Sequence, residues 1–111
     1  MRARRPPPPM SKAYKILTAG QWAAWQGRGT FSGAPIDLDD GYIHLSTAEQ
    51  VAETAEKHFA GLSDLVLAEV DLDLLGDIVH WEESRGGQLF PHVYGTIPLA
   101  AVTDARPIPE D

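Results

Sequence analysis

The stretch Asp40-Gly41-Tyr42-Ile43-His44-Leu45-Ser46-Thr47 decides how this chain is read. Its polar and apolar residues alternate with the period of two that marks a strand. Ile43 and Leu45 are expected to enter the core, leaving Tyr42, His44 and Ser46 on the opposite face. A second stretch, Phe90-Pro91-His92-Val93-Tyr94-Gly95, answers it. There Val93 and Ile97 share one face, and Phe90, His92 and Tyr94 share the other. A solvated sheet face would carry Lys, Glu and Thr, whereas aromatic, histidine and hydroxyl groups line small-ligand pockets. The two strands therefore predict a cleft between them.

Working outward, Tyr14–Thr18 reads as a strand, followed by a brief helix over Trp22 and Trp25 that Gly27 and Gly29 stop. The two tryptophans share a face and are read as core anchors. Residues 27–41 read as a loop. Asp37, Asp39 and Asp40 within it lack the spacing and the twelfth-position acid of a calcium loop, so Asp40-Gly41 is taken as a turn. Ser46 and Thr47, with Glu49 and Gln50 three residues on, form a capping box for a helix. Its apolar stripe is Ala48, Val51, Ala52, Ala55 and Phe59, with Gly61 as its stop and His58 near its dipole-favoured end. Leu65–Asp71 is mostly apolar and is expected at the centre of the sheet. Strands over 77–82 and 100–102 follow, with a flexible loop at 84–87. The order implies an α+β fold. Its sheet is small, mixed but mostly antiparallel and strongly bent, with about six short strands, one main helix and one short helix.

At 111 residues with no cysteine, the chain is read as one domain without disulfides, thiolate metal sites or cysteine nucleophiles. That composition fits a reducing cytoplasm. No run of 18 apolar residues is present, so no membrane span is expected. Residues 1–10, with Arg2, Arg4, Arg5 and four consecutive prolines, are read as a disordered tail, and residues 11–111 as the domain. All sixteen acids lie beyond residue 10, against six of the nine basic residues. A body this acidic repels a nucleic-acid backbone, so nonspecific nucleic-acid binding is excluded. A small molecule in a pocket is not, and the oligomeric state is left open.

The groups able to act are His44, His92, Tyr42, Tyr94, Ser46 and Glu82. His44 and Ser46 lie two apart on one face. His92 follows Pro91, whose fixed φ stiffens the backbone beneath it. Glu82 shares its face with His80. A serine triad lacks the G-x-S-x-G elbow around Ser46. A metal site from His44, His92 and Glu82, as in a metal-dependent hydrolase, lacks H-x-x-x-H or H-E-x-x-H spacing, so no metal ligand is assigned.

The run Asp40–Val51, with Trp81–Gly87 and Phe90–Gly95, closely resembles the bacterial domain of unknown function 952 family, and the resemblance spans about residues 14–102. That family is remotely similar to the ADP-ribosyltransferase superfamily. The resemblance implies a compact, ADP-ribosyltransferase-like α+β domain in which His44-Leu45-Ser46 is similar to the His-x-Ser strand element that binds the ribose and nicotinamide end of NAD. It also implies Tyr94 as the stacking aromatic. The superfamily's glutamate follows its tyrosine, whereas Glu82 precedes Tyr94, and His92 has no counterpart there. The expectation is thus a cytoplasmic domain binding a nucleotide-like ligand, with NAD a candidate substrate and no cofactor assigned, acting as a transferase or glycohydrolase. His44, Ser46, Tyr42 and Tyr94 would hold the ligand, with His92 and Glu82 as acid–base or orienting groups. The alternative is a non-catalytic module for a metabolite or a protein.

Overall fold

The computed structural model describes residues 11–108; the tail expected over 1–10 lies outside them. Strand β1 (Lys12–Thr18) buries Ala13 and Leu17 completely on one face, and Lys15 lies between them on that same face. Thr18 closes the strand and starts helix α1 (Ala19–Arg28). Its Oγ1 accepts from Gln21 N–H at 3.1 Å, and Gln21 Oε1 accepts from Thr18 N–H at 2.9 Å. This reciprocal capping satisfies two backbone donors at the helix start. The helix runs past Gly27 and ends at Gly29, whose φ of 80° is a conformation glycine adopts without strain. Trp25 is buried and stacks on Phe31 at 4.8 Å, while Trp22 packs edge-on against Trp25.

The segment expected to be a loop contains strand β2 (Thr30–Phe31) and helix α2 (Pro35–Asp40). Pro35 supplies a preset φ at the helix start, and Asp37 Oδ2 accepts the Ala34 N–H at 2.7 Å. Gly41, at φ 89°, ends the helix. Strand β3 (Ile43–His44) follows, with Ile43 and Leu45 buried as the alternation required.

Helix α3 covers Val51–Phe59, later than the capping box at Ser46 and Thr47 implied. Gln50 occupies the cap position without a side-chain cap bond; its Oε1 instead accepts from Thr47 N–H at 3.0 Å. The apolar stripe is only partly covered, and no residue of α3 is fully buried.

Strand β4 (Leu65–Asp71) lies between β1 and the last strand, central as expected. Next come β5 (Val79–Glu83), β6 (Leu89–Val93), β7 (Ile97–Pro98) and β8 (Val102–Pro107). The expected strand at 100–102 is a 3₁₀ turn over Leu99–Ala101 that leads into β8. In place of one bent, mixed sheet, there are three small sheets, ordered β1-β4-β8, β2-β7 and β3-β6-β5, and every described strand pairing is antiparallel. Instead of two helices, the described residues form three α-helices.

The first and third sheets are linked where Tyr14 and Ser46 exchange backbone hydrogen bonds of 2.8 and 2.9 Å. Leu17, Trp25, Ile43, Leu45, Val70, Val93 and Ile97 fill the core between the sheets and α1. No helix among the described residues is long and apolar enough to cross a membrane.

Candidate functional site

The third sheet sets three histidines in one row. His44 stands opposite His92, and His92 opposite His80, across β3, β6 and β5. Directly opposed residues on an antiparallel pair bring their side chains within contact. The rings of His44 and His92 are 5.5 Å apart. Tyr42 stacks on His92 at 4.2 Å, tilts against His44 at 4.7 Å, and meets Tyr94 at 5.2 Å. His80 packs edge-on against Tyr94 at 4.9 Å. The face that the alternation assigned to aromatics and histidines is therefore assembled as one cluster.

Glu82 joins it from β5. His92 Nδ1 donates to Glu82 Oε1 at 2.6 Å, and the Tyr94 hydroxyl donates to the same carboxylate at 2.8 and 3.1 Å. The His92 bond, then the Tyr94 bond, hold the Glu82 carboxyl below its usual range. The bond to Glu82 in turn pushes the Tyr94 phenol up. Burial, then the charges of Asp40 and Glu82, push the Tyr42 phenol up. Because a carboxylate only accepts, Nδ1 of His92 carries the hydrogen, and Nε2 is the nitrogen that remains for chemistry.

His44 is held differently. Its Nδ1 meets Asp37 Oδ1 at 2.7 Å and its Nε2 meets Asp40 Oδ2 at 2.9 Å, so both ring nitrogens are engaged. Asp37 is 2% exposed and also accepts from the backbone N–H groups of His44 and Ala34. The third cation-side partner is Lys15, whose Nζ lies 3.1 and 2.9 Å from the two Asp37 oxygens and 3.0 Å from the His44 carbonyl. Two ammonium hydrogens are thereby donated, one to Asp37 Oδ1 and one to the His44 carbonyl. Burial would raise the Asp37 carboxyl, but the His44 bond, the Lys15 charge and the Ala34 N–H outweigh it and hold it at about 2. Burial pushes the Lys15 ammonium down, against the pull of Asp37.

The sequence pattern placed Lys15 in the first strand and Asp37 in a loop, and gave neither a role at the site. The available signal was Lys15 itself, a charge on the core face of β1 that has to meet a buried counter-charge.

A cavity of about 310 Å³ opens beside this row, bounded by β1, the start of α2 and α3. His44, Ser46 and His92 reach its wall; Tyr42, Tyr94 and Glu82 stand outside that lining, packed against or bonded to His92. Ser46 is buried and shares a 3.0 Å hydrogen bond with the Thr54 hydroxyl of α3, joining strand to helix rather than capping it. Phe90 forms part of the wall as well. Among the described residues, no group of three or more His, Asp or Glu side chains is arranged to hold a metal ion.

The chain belongs to the family described as protein of unknown function DUF952, which matches residues 16–105. It is similar to the protein CC0527 of Caulobacter crescentus, whose crystal structure is 44% identical with a TM-score of 0.87, over 90% of this chain and 88% of that one. The solution NMR structure of CC0527 agrees, at 44% identity and a TM-score of 0.81 over 92% of this chain and 88% of that one. Among curated proteins, none matches this chain.

Proposed function

For this member of that family we propose that the cavity binds a small nucleotide-like ligand on which His92 transfers a proton, as a transferase or glycohydrolase does. The observation that carries this reading is the orientation of His92. One ring nitrogen is fixed by Glu82 at 2.6 Å, and the ring reaches the cavity wall. A carboxylate that fixes one nitrogen and leaves the other toward a substrate is how an imidazole is set up as a general acid or base. His44 and Ser46 meet the ligand from the wall, and Tyr42 and Tyr94 back His92 from outside it.

The volume supports a nucleoside-sized group, since it sits near the lower bound of about 300 Å³ for ligand pockets. A whole NAD molecule would extend beyond the cavity. The similarity to ADP-ribosyltransferases belongs to this same reading. In its favour, pairing of β5 with β6 brings Glu82 within 2.8 Å of the Tyr94 hydroxyl even though it precedes Tyr94 in the chain.

The test is a histidine-resolved NMR titration of the full chain with nicotinamide, NAD, ADP-ribose and nucleoside phosphates. The reading requires saturable shifts at His92 and new product signals over hours, with His92→Gln losing the product but retaining saturable binding. Binding without product under any condition would favour a non-catalytic metabolite module. Silence across the panel would overturn the pocket.

A further inference from the structure

The wall of the cavity has a composition that the chain as a whole does not. The protein carries sixteen acidic residues and a formal charge of −7. Yet among the described residues that line the cavity there is no Asp and no Glu, while three of the four histidines and a lysine are there. The acids that serve the site act from behind it. Asp37 binds Lys15 and His44, and Glu82 binds His92.

The same turning-away of acceptors recurs at Gln21, a wall residue from α1. Its Oε1 is taken by the Thr18 N–H at 2.9 Å, so the amide has its NH₂ donors left to offer. His92, its Nδ1 already donating to Glu82, presents the rest of its ring at the wall. Ser84 and Ser46 add hydroxyls to the wall. Lys15 lies in the wall with two of its hydrogens given to Asp37 and the His44 carbonyl.

Resting on the reading of this cavity as a ligand pocket, we propose that it selects its ligand by negative charge. It holds an oxyanion, phosphate or carboxylate, against Gln21 and Ser84, beside His92, and it disfavours a cationic ring such as the pyridinium of NAD. Acceptor oxygens turned into protein, donors left toward the cavity, and carboxylates kept off the wall are the three conditions an anion site needs, because like charges in a partly desolvated space repel strongly.

Two matched pairs test it by calorimetry on the full chain: adenosine against its 5′-monophosphate, and nicotinamide against nicotinate. The phosphate and the carboxylate sources are thereby separated. In at least one pair the anion should bind ten or more times tighter than its neutral partner. Gln21→Glu then puts a carboxylate into the wall while keeping the cap, since Glu serves as well as Gln at that position. It should collapse the anion's advantage to near unity, with a circular dichroism spectrum and melting temperature like the parent's showing that the variant is folded. Equal affinities within both pairs, or an advantage that survives Gln21→Glu, would overturn the charge selection and leave the pocket standing. No binding by any of the four would overturn the pocket and the charge selection together.

Discussion

His44 and His92 are the same residue, paired across adjacent strands with rings 5.5 Å apart, and the structure holds them in opposite ways. His44 has a carboxylate on each ring nitrogen, one of them the buried hub Asp37. His92 has a single carboxylate, on Nδ1, and faces a cavity with the rest of its ring. A fully partnered imidazole orders its surroundings; a singly partnered one keeps a nitrogen for a ligand. Residue type and strand position do not distinguish these roles, but the count of partners does.

The largest effect should come from breaking the His44 side. Asp37→Ala removes the only acidic partner within bonding distance of Lys15 among the described residues and leaves a buried ammonium beside a His44 held by Asp40 alone. Stripping one member from a buried pair costs about 3–5 kcal/mol, and denaturant unfolding measures it. A loss below about 1 kcal/mol would show that the hub is not what orders this half of the site.

The same hub predicts an acid transition. A carboxyl held at about 2 instead of its ordinary 3.8 gives the folded state about 2 kcal/mol. Since the folded value is the lower one, that stability is complete above about pH 4 and disappears as pH falls toward 2. Unfolding curves across this window should show it in the parent chain, and Asp37→Asn should flatten the slope. A slope unchanged in Asp37→Asn would assign the acid sensitivity to other carboxylates.

The working half was more legible in the sequence than the ordering half. Period-two alternation located β3 and β6 and placed Tyr42, His44, His92 and Tyr94 on a common face, because sheet geometry fixes that by arithmetic. It could not reveal Glu82 against His92, since that contact depends on β5 pairing with β6 in a register no local pattern encodes. Helix α2 was missed because six residues are too few to display a helical period, although Pro35 at its start, Asp37 one turn in and Gly41 at its end are helix punctuation. With α2 read as loop, its aspartates looked like turn residues, and Lys15 had no visible partner. The capping box misled for a related reason. Ser46 and Thr47 carry the right side chains, but Ser46 is tied by the backbone exchange with Tyr14, and the helix cannot begin until the chain leaves that bridge.

A smaller effect is expected where the row of polar groups continues from His44. Ser46→Ala removes the hydroxyl bonded to Thr54 and with it one side-chain tie between β3 and α3. One such bond contributes about 1 kcal/mol. Hydrogen exchange should speed selectively in Val51–Phe59, while the β1, β4 and β8 amides stay protected. Uniform acceleration across both regions would mean that Ser46 supports the whole core rather than this one helix.

The smallest effect on stability, and the sharpest on the comparison, belongs to Glu82→Gln. Glu82 sits at the surface, its side chain 40% exposed, so its bond to His92 adds little to folding and the melting temperature should stay near that of the parent. The ring state of His92 should nevertheless change. A carboxylate forces the hydrogen onto Nδ1, whereas a glutamine amide offers both a donor and an acceptor and admits either tautomer. Nitrogen-15 spectra of the imidazoles should show His92 moving from one tautomer to a mixture, with His44 unmoved because Asp37 and Asp40 still hold both its nitrogens. If His44 moved as far as His92, the two histidines would titrate as one unit, and the division between an ordering imidazole and a working one would fail. If neither moved, the geometry of β6 under Pro91 would be setting the His92 ring, and Glu82 would lose its orienting role.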